Sequence, residues 1–256
     1  MKKHFLWGLI LMCVTGMSLT ACGGDDNNND APTTLTVNPA SISMYYDGSQ
    51  QLSAQGATSW TSENEFVAKV DQNGLVKGGH VGTTNIIASN GTSTGRCTVT
   101  IVPKYNLYDT PILNWGATMS QLRATETHTL AGSGSDYLGY GYTNGSRNAV
   151  VTYTFKNGGL NGIVVILNKN DYVNLGYYLI ERYLPIGSSD GMYIFADALL
   201  QSQTKTIIGL DYITVSGTKY AGATYIPNTS SSSSAPKRSM LHQVEIPAEI
   251  LSVLDE

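Results

Sequence analysis

The sequence predicts a mainly β protein: a β-sandwich followed by an α+β domain that carries an antiparallel sheet with two helices on one face. Two observations lead there. Between Thr33 and Pro103, short period-2 runs are broken by turn pairs at regular spacing, which is how a sandwich reads. From Tyr108 onward the order becomes helix, strands, helix, strands with hairpin turns, as expected for helices packed on an antiparallel sheet.

The chain opens with Lys2 and Lys3, then runs apolar from Phe5 to Met17, a basic and an apolar segment too short to read as a membrane span. The run closes on Leu19-Thr20-Ala21-Cys22, which resembles the lipobox of bacterial lipoprotein precursors. The resemblance implies that residues 1–21 are a signal peptide and that Cys22 becomes acylated, by palmitate or a similar chain, so that the lipid bilayer is a partner. Anchoring of this kind is strong because each buried methylene contributes ~0.8 kcal/mol. Residues 22–32 follow as a tether, since Gly23 to Asp30 holds only Gly, Asp and Asn and cannot build a core. Asp25-Asp26 resembles the acidic export signal of surface-exposed lipoproteins in some Gram-negative lineages; the other reading is a plain spacer. The expected location is the outer membrane, lipid-anchored at the cell surface.

The formal net charge is -4, and removing residues 1–21 takes away two lysines and no acid, leaving about -6. No basic stripe is present, which argues against a nucleic-acid partner. Of three cysteines, Cys13 leaves with the signal and Cys22 is acylated. Cys97 remains, in "RCTVTIV", so the mature chain is expected to have no internal disulfide and no cysteine metal site.

In the first folded unit, residues 33–103, the runs "TLTVNP", "SISMYYDGSQQLSA", "TSWTSE", "VAKVDQNGLVKGG" and "TTNIIASNGTSTGRCTVTIV" alternate, with Asp47-Gly48, Asn73-Gly74 and Asn90-Gly91 as tight turns. Leu35-Thr36-Val37, Asp47-Gly48 ahead of Leu52, Trp60-Thr61-Ser62, Val67 to Asp71, Gly74-Leu75-Val76 and Gly82-Thr83-Thr84 occur in an order that resembles the bacterial immunoglobulin-like domain, group 2. That family, found in adhesins and other surface proteins, implies a seven-strand sandwich without catalysis, with Trp60 as the structural core aromatic. Asp71 and Asn73 read as turn builders rather than calcium ligands.

Residues 104–256 differ in texture. "PILNWGATMSQLRATETHTL" predicts a helix with Thr118 as N-cap and Met119, Leu122 and Thr125 on one face. Strand-like runs follow in "SDYLGYGYTN", "AVVTYTFKNGGL" and "NGIVVILN". A second helix is predicted in "DYVNLGYYLIERYL", with Val173, Tyr177, Ile180 and Leu184 as its buried stripe and Pro185 as its stop. "GMYIFAD", "TKTIIGLDYITV" and "TKYAGATYIPN" return to strands. Residues 228–239 read as a Ser-rich loop, and the chain is expected to rejoin the sheet with a strand at Gln243–Ile246 and a short helix. The succession Gly116-Ala117-Thr118, Tyr140-Gly141-Tyr142 and Tyr153 to Leu160 weakly resembles the α+β repeat of outer-membrane assembly lipoproteins and the β-lactamase inhibitor protein fold. No functional residue carries over from it.

Motifs for chemistry are absent. "GYGYTNG" has its glycines at the wrong offsets for a dinucleotide loop. Ser133 and Ser189 lack a nucleophile elbow, and His80, His128 and His242 lie on separate segments without metal-ligand spacing. Asp171, Glu181 and Asp190 are available acids, although Glu181-Arg182 reads as a solvated helix face. No metal, cofactor or catalytic residue is expected. Tyrosine is the one excess. Tyr140, Tyr142 and Tyr177 read as core, whereas Tyr137 and Tyr178 fall off those faces and are the candidate ligand contacts. The function expected is a non-enzymatic surface lipoprotein binding an extracellular protein or glycan through residues 104–256. The alternatives are a periplasm-facing envelope-assembly or inhibitor module, and a glycan-active enzyme, which needs two carboxylates ~5–10 Å apart.

Overall fold

The computed structural model describes residues 34–144, 147–229 and 248–255. The expected signal peptide, Cys22, Asp25, Asp26, His242, the strand at Gln243–Ile246 and nearly all of the Ser-rich loop lie outside the described residues.

The alternating runs after Thr34 form β1 (Val37–Asn38), β2 (Ser41–Met44), β3 (Ser49–Gln51), β4 (Ser53–Ala54), β5 (Ser59–Ser62), β6 (Ala68–Val70), β7 (Leu75–Gly78), β8 (Gly82–Ser89) and β9 (Thr94–Ile101). A four-stranded sheet, β2-β9-β8-β5, and a three-stranded sheet, β3-β7-β6, make the sandwich, and β1 with β4 adds a short ribbon. β2 runs parallel to β9; the other pairs are antiparallel. Alternation along β8 and β9 sends Ile86, Ala88, Cys97, Val99 and Ile101 inward, where they meet Trp60, Val67 and Val76. Trp60 is only 6 % exposed. Its ring lies against Gly74, where a Cβ would stand 3.0 Å from the ring and 2.9 Å from the Leu52 carbonyl, and where φ is +80°. Glycine meets both demands. The turn is built by Asp71, whose Oδ1 accepts the amides of Asn73 and Leu75 at 2.9 Å each.

The second half is one antiparallel sheet of eight strands. α1 (Met119–Thr125) is followed by β10 (Thr129–Ser133), β11 (Tyr137–Asn144), β12 (Arg147–Lys156) and β13 (Gly159–Asn168). α2 (Tyr172–Ile180) is followed by β14 (Leu184–Ser189), β15 (Met192–Ala196), β16 (Thr206–Val215) and β17 (Thr218–Pro227). Each half is thus a helix and a four-stranded meander, and the last strands, β13 and β17, pair at the centre in the order β10-β11-β12-β13-β17-β16-β15-β14. α1 starts as its sequence dictates: the Thr118 hydroxyl accepts the Gln121 amide, and the Gln121 side chain accepts the Thr118 amide at 2.8 Å.

Both edge strands differ from expectation. Neither β10 nor β14 is expected as a strand from the sequence; Leu184 is expected on the second helix with Pro185 as its stop, whereas α2 ends at Ile180 and both residues lie in β14. Proline is tolerated there because an edge strand leaves alternate amides unpaired. Each edge carries a register shift, between Leu130 and Gly132 and between Pro185 and Gly187. Such bulges blunt pairing with another chain.

The helices share one face of the sheet. Leu122 of α1 and Leu175, Tyr178 and Leu179 of α2 bury against Tyr140, Tyr153, Val165, Leu210 and Tyr225. The opposite face receives a 3-10 helix, Ala248–Asp255, through Ile250 and Leu251. Ile250 enters a notch floored by glycine, its Cδ1 lying 2.9 Å from where a Cβ on Gly139 would stand, with Gly132 beside it.

Trp60→Ala is expected to lower stability by about 3–5 kcal/mol, and Gly139→Val, by overfilling the notch, by about 1–3 kcal/mol, both read from chemical denaturation. Wild-type midpoints for both would contradict the packing described.

Candidate functional site

α2 carries apolar residues around most of its circumference, so it owns two stripes. Leu175, Tyr178 and Leu179 face the sheet, and Gly176 lets the helix approach Leu210. The other stripe, Val173 and Tyr177, faces outward at 64 % and 47 % exposure. This reverses the expectation: Val173 and Tyr177 are not core, and Tyr178 is not a surface contact but is fully buried. Tyr178 packs against Tyr108 with the rings tilted by 31° and their centroids 4.3 Å apart. Tyr137 points to the opposite face of the sheet, half-buried among residues that pack with the 3-10 helix.

The outward stripe continues onto its neighbours. Tyr105 stacks on Tyr177 at 5.0 Å, and Tyr172 stacks on Tyr212 of β16 at 4.1 Å. Lys219 of β17 lies 4.1 Å over the Tyr212 ring and Lys104 lies 6.0 Å from that of Tyr105. Tyr193 of β15 stands 55 % exposed on the same face, and its proximity and that of Asp211 reinforce burial in pushing the Tyr172 phenol up. The result is a tyrosine-rich strip with a lysine at each end, assembled from the linker, α2, β15, β16 and β17. Exposed apolar contacts gathered in this way mark interaction surfaces.

A second concentration of chemistry sits where α1 meets β10. The Glu126 carboxylate accepts Tyr142 Oη at 2.6 Å, Tyr153 Oη at 2.8 Å, His128 Nδ1 at 2.6 Å and the Thr127 and His128 amides. His128 Nε2 reaches Asp109 at 3.2 Å, and its ring stacks on Tyr142 at 3.5 Å. Burial pushes the Glu126 carboxyl up, but the hydrogen bonds from Tyr142, His128 and Tyr153 outweigh it and hold the group below its ordinary value. Burial keeps the phenols of Tyr142 and Tyr153 neutral. With its side chain 2 % exposed and its oxygens occupied, Glu126 has no room to act on a substrate. Both nitrogens of His128 face carboxylates, so none is left to activate a serine. The cluster is a latch that ties the chain at 109–112 to the sheet, since Tyr153 Oη also accepts the Ile112 amide.

No group of His, Cys, Asp and Glu able to hold a metal ion occurs among the described residues. Of the acids expected as candidates, Asp171 pairs with Arg147 and Asp190 accepts the Ser189 hydroxyl. A shallow cleft of about 440 Å³ lies between Glu63–Phe66 and Asp197–Gln203. Its Glu63 is paired with Arg96, and Asp197 accepts the Lys205 amide.

With the sandwich and its Trp60-Gly74 core described, comparison with known proteins decides one point. The family model of the bacterial Ig-like domain (group 2) matches residues 31–102. No curated protein matches the chain. Among solved structures, the chain is similar to domains 5–6 of the S-layer protein SbsC at 15 % identity, covering 78 % of this chain and 85 % of that one with a TM-score of 0.23. It is also similar to domains 4–9 of the surface layer protein SbsC, at 15 % identity, 78 % and 27 % coverage and a TM-score of 0.24. Scores this low carry no argument about fold or activity.

The Ig-like domain grips the C-terminal end of α2. Val81 donates to the Glu181 carbonyl at 2.7 Å, and His80 Nδ1 lies 3.1 Å from the Ile180 carbonyl, so two of the helix's last carbonyls are satisfied by this domain. The Glu181 side chain accepts the amides of Lys104 and Tyr105 at 3.0 Å each, and Arg182 lies beside it. Glu181 is 4 % exposed, not part of a solvated face, because the Ig-like turn and the linker cover it. Burial also holds the His80 imidazole below its ordinary pKa.

Both depressed groups favour high pH. As pH falls below about 6.5, protonating His80 puts a charge into the buried joint, a cost that its hydrogen bond to the Ile180 carbonyl offsets only in part, and protonating Glu126 opens the latch below about 4.5. Stability is therefore expected to decline in both windows on acidification, and Glu126→Gln is expected to remove the second slope while losing about 1–3 kcal/mol at neutral pH. An unchanged slope below pH about 4.5 in this variant, followed by denaturant titration, would contradict the latch.

Proposed function

We propose that this protein is a non-enzymatic lipoprotein of the cell surface that binds an extracellular macromolecule. In this reading Cys22 carries the acyl anchor, Asp25 and Asp26 form the export signal, residues 33–103 are the Ig-like spacer and residues 104–256 present the binding face. The observation that carries it is the outward stripe of α2, with Val173 and Tyr177 exposed and flanked by stacked tyrosines. Among the described residues no helix is long and apolar enough to cross a membrane. The lipobox supplies the attachment in this reading, and the occupied state of Glu126 and His128 supports the absence of catalysis.

The test is protease shaving of intact cells, comparing wild type, Cys22→Ala, and a form with Asp25 and Asp26 replaced by Ala. Immediate cleavage of wild type and protection of the double replacement are expected. Protection of wild type that still fractionates with membranes would instead favour the periplasm-facing assembly or inhibitor role.

A further inference from the structure

We propose that the strip over α2 receives a protein segment that presents an apolar contact bordered by carboxylates. This rests on the surface-binding reading above and narrows its ligand.

The choice of protein over glycan comes from the rings. A sugar stacks on an open aromatic face, but four of the strip's five tyrosines are paired with one another, Tyr105 with Tyr177 and Tyr172 with Tyr212, and Tyr193 stands outside these pairs. The remaining face of Tyr212 is taken by Lys219. Beside the single unstacked ring of Tyr193, the strip offers ring edges, hydroxyls and the bare aliphatic side chain of Val173, which has nothing to give a hydroxyl-rich ligand. Stacking also fixes these side chains before any partner arrives, so little rotamer freedom is lost on binding. Rigid tyrosines around an aliphatic centre match the core of a protein interface.

The carboxylate border follows from charge. The chain is acidic overall, at -4, yet Lys104 and Lys219 stand exposed at the two ends of the strip and enter no ion pair among the described residues. The acids nearby are already engaged: Asp171 with Arg147, Asp211 with the Tyr212 amide at 2.7 Å, and Glu181 inside the joint. Two lysines outside any ion pair, with the neighbouring acids held by other groups, favour negative charge on the partner over positive charge.

The experiment pans a phage-displayed library of random 12-residue peptides on the full mature, lipidated protein held in detergent micelles. Immobilised polygalacturonate is tested beside it as a polyanionic glycan. The variants are Val173→Ser with Tyr177→Ser, and Lys104→Glu with Lys219→Glu; all four positions are exposed, and an unchanged melting temperature is required of each variant. Enriched peptides are expected to combine acidic with apolar residues, and to bind each variant at least tenfold more weakly, with the lysine pair accounting for the salt dependence. Peptides that bind both variants as they bind wild type would overturn the proposal. Retention of polygalacturonate with no peptide enriched, lost in the same variants, would overturn the protein class while leaving the strip as a binding face. Either outcome is separable from failure of the surface reading itself, which shows as protection of wild type in the shaving experiment.

Discussion

A buried carboxylate, Glu181, holds the molecule's arrangement together. Taking an ionised side chain out of water is unfavourable unless hydrogen bonds replace the lost solvent. Here the replacements are the amides of Lys104 and Tyr105, so the carboxylate can stay buried only while the linker passes directly over the end of α2. The same end receives His80 and Val81 from the Ig-like domain. Arg182 completes it, donating to the Tyr178 carbonyl and lying 3.7 Å over the Tyr178 ring. One site therefore fixes the linker, the roll of the helix and the attachment of the sandwich. The roll decides which stripe of α2 is exposed: it buries Leu175, Tyr178 and Leu179 and leaves Val173 and Tyr177 outside.

The rest of the second half follows from how an eight-stranded sheet covers two faces and protects two edges. Its central strands, β13 and β17, are buried almost throughout, with Ile163, Val165 and Leu167 on the helix side and Val164 and Ile166 on the other. The helix side is wide enough to need both helices and the linker, whose Leu107 and Tyr108 are buried there. The other side is closed over β10–β12 by one short 3-10 helix, which sits close because Gly132, Gly139 and Gly141 offer no side chain. The edges end in bulges rather than partners.

Elements whose neighbours are local were legible in the sequence. The Thr118 cap, the Asp71 turn and the alternation of β8 and β9 each depend on contacts a few residues away, and each was read correctly. β10 and β14 were not, because edge strands are short, half-solvated and bulged, and so lack a clean period of 2. The burial of α2 was not either. Its sequence supports Val173-Tyr177-Ile180 and Leu175-Tyr178-Leu179 equally well, and the choice is made by the joint at Glu181 together with Tyr108, Leu210 and Tyr225, through contacts from far away in the chain. For the same reason the tyrosine strip was invisible: it unites Tyr105, Tyr172, Tyr177, Tyr193 and Tyr212 from four segments. Tyr178 and Tyr137, chosen from local faces, went to the interior and to the opposite side of the sheet. Glu181-Arg182 looked like an ordinary solvated pair because nothing nearby announces that a second domain will cover it.

Hydrogen exchange of the Val81, Lys104 and Tyr105 amides in the intact protein tests the joint most directly. If Glu181 organises it, these three amides exchange as slowly as those of β8 and β13, opening only with the folded core. Exchange at the rate of an exposed loop, with β8 and β13 still protected, would contradict the account and leave the outward stripe of α2 without its cause.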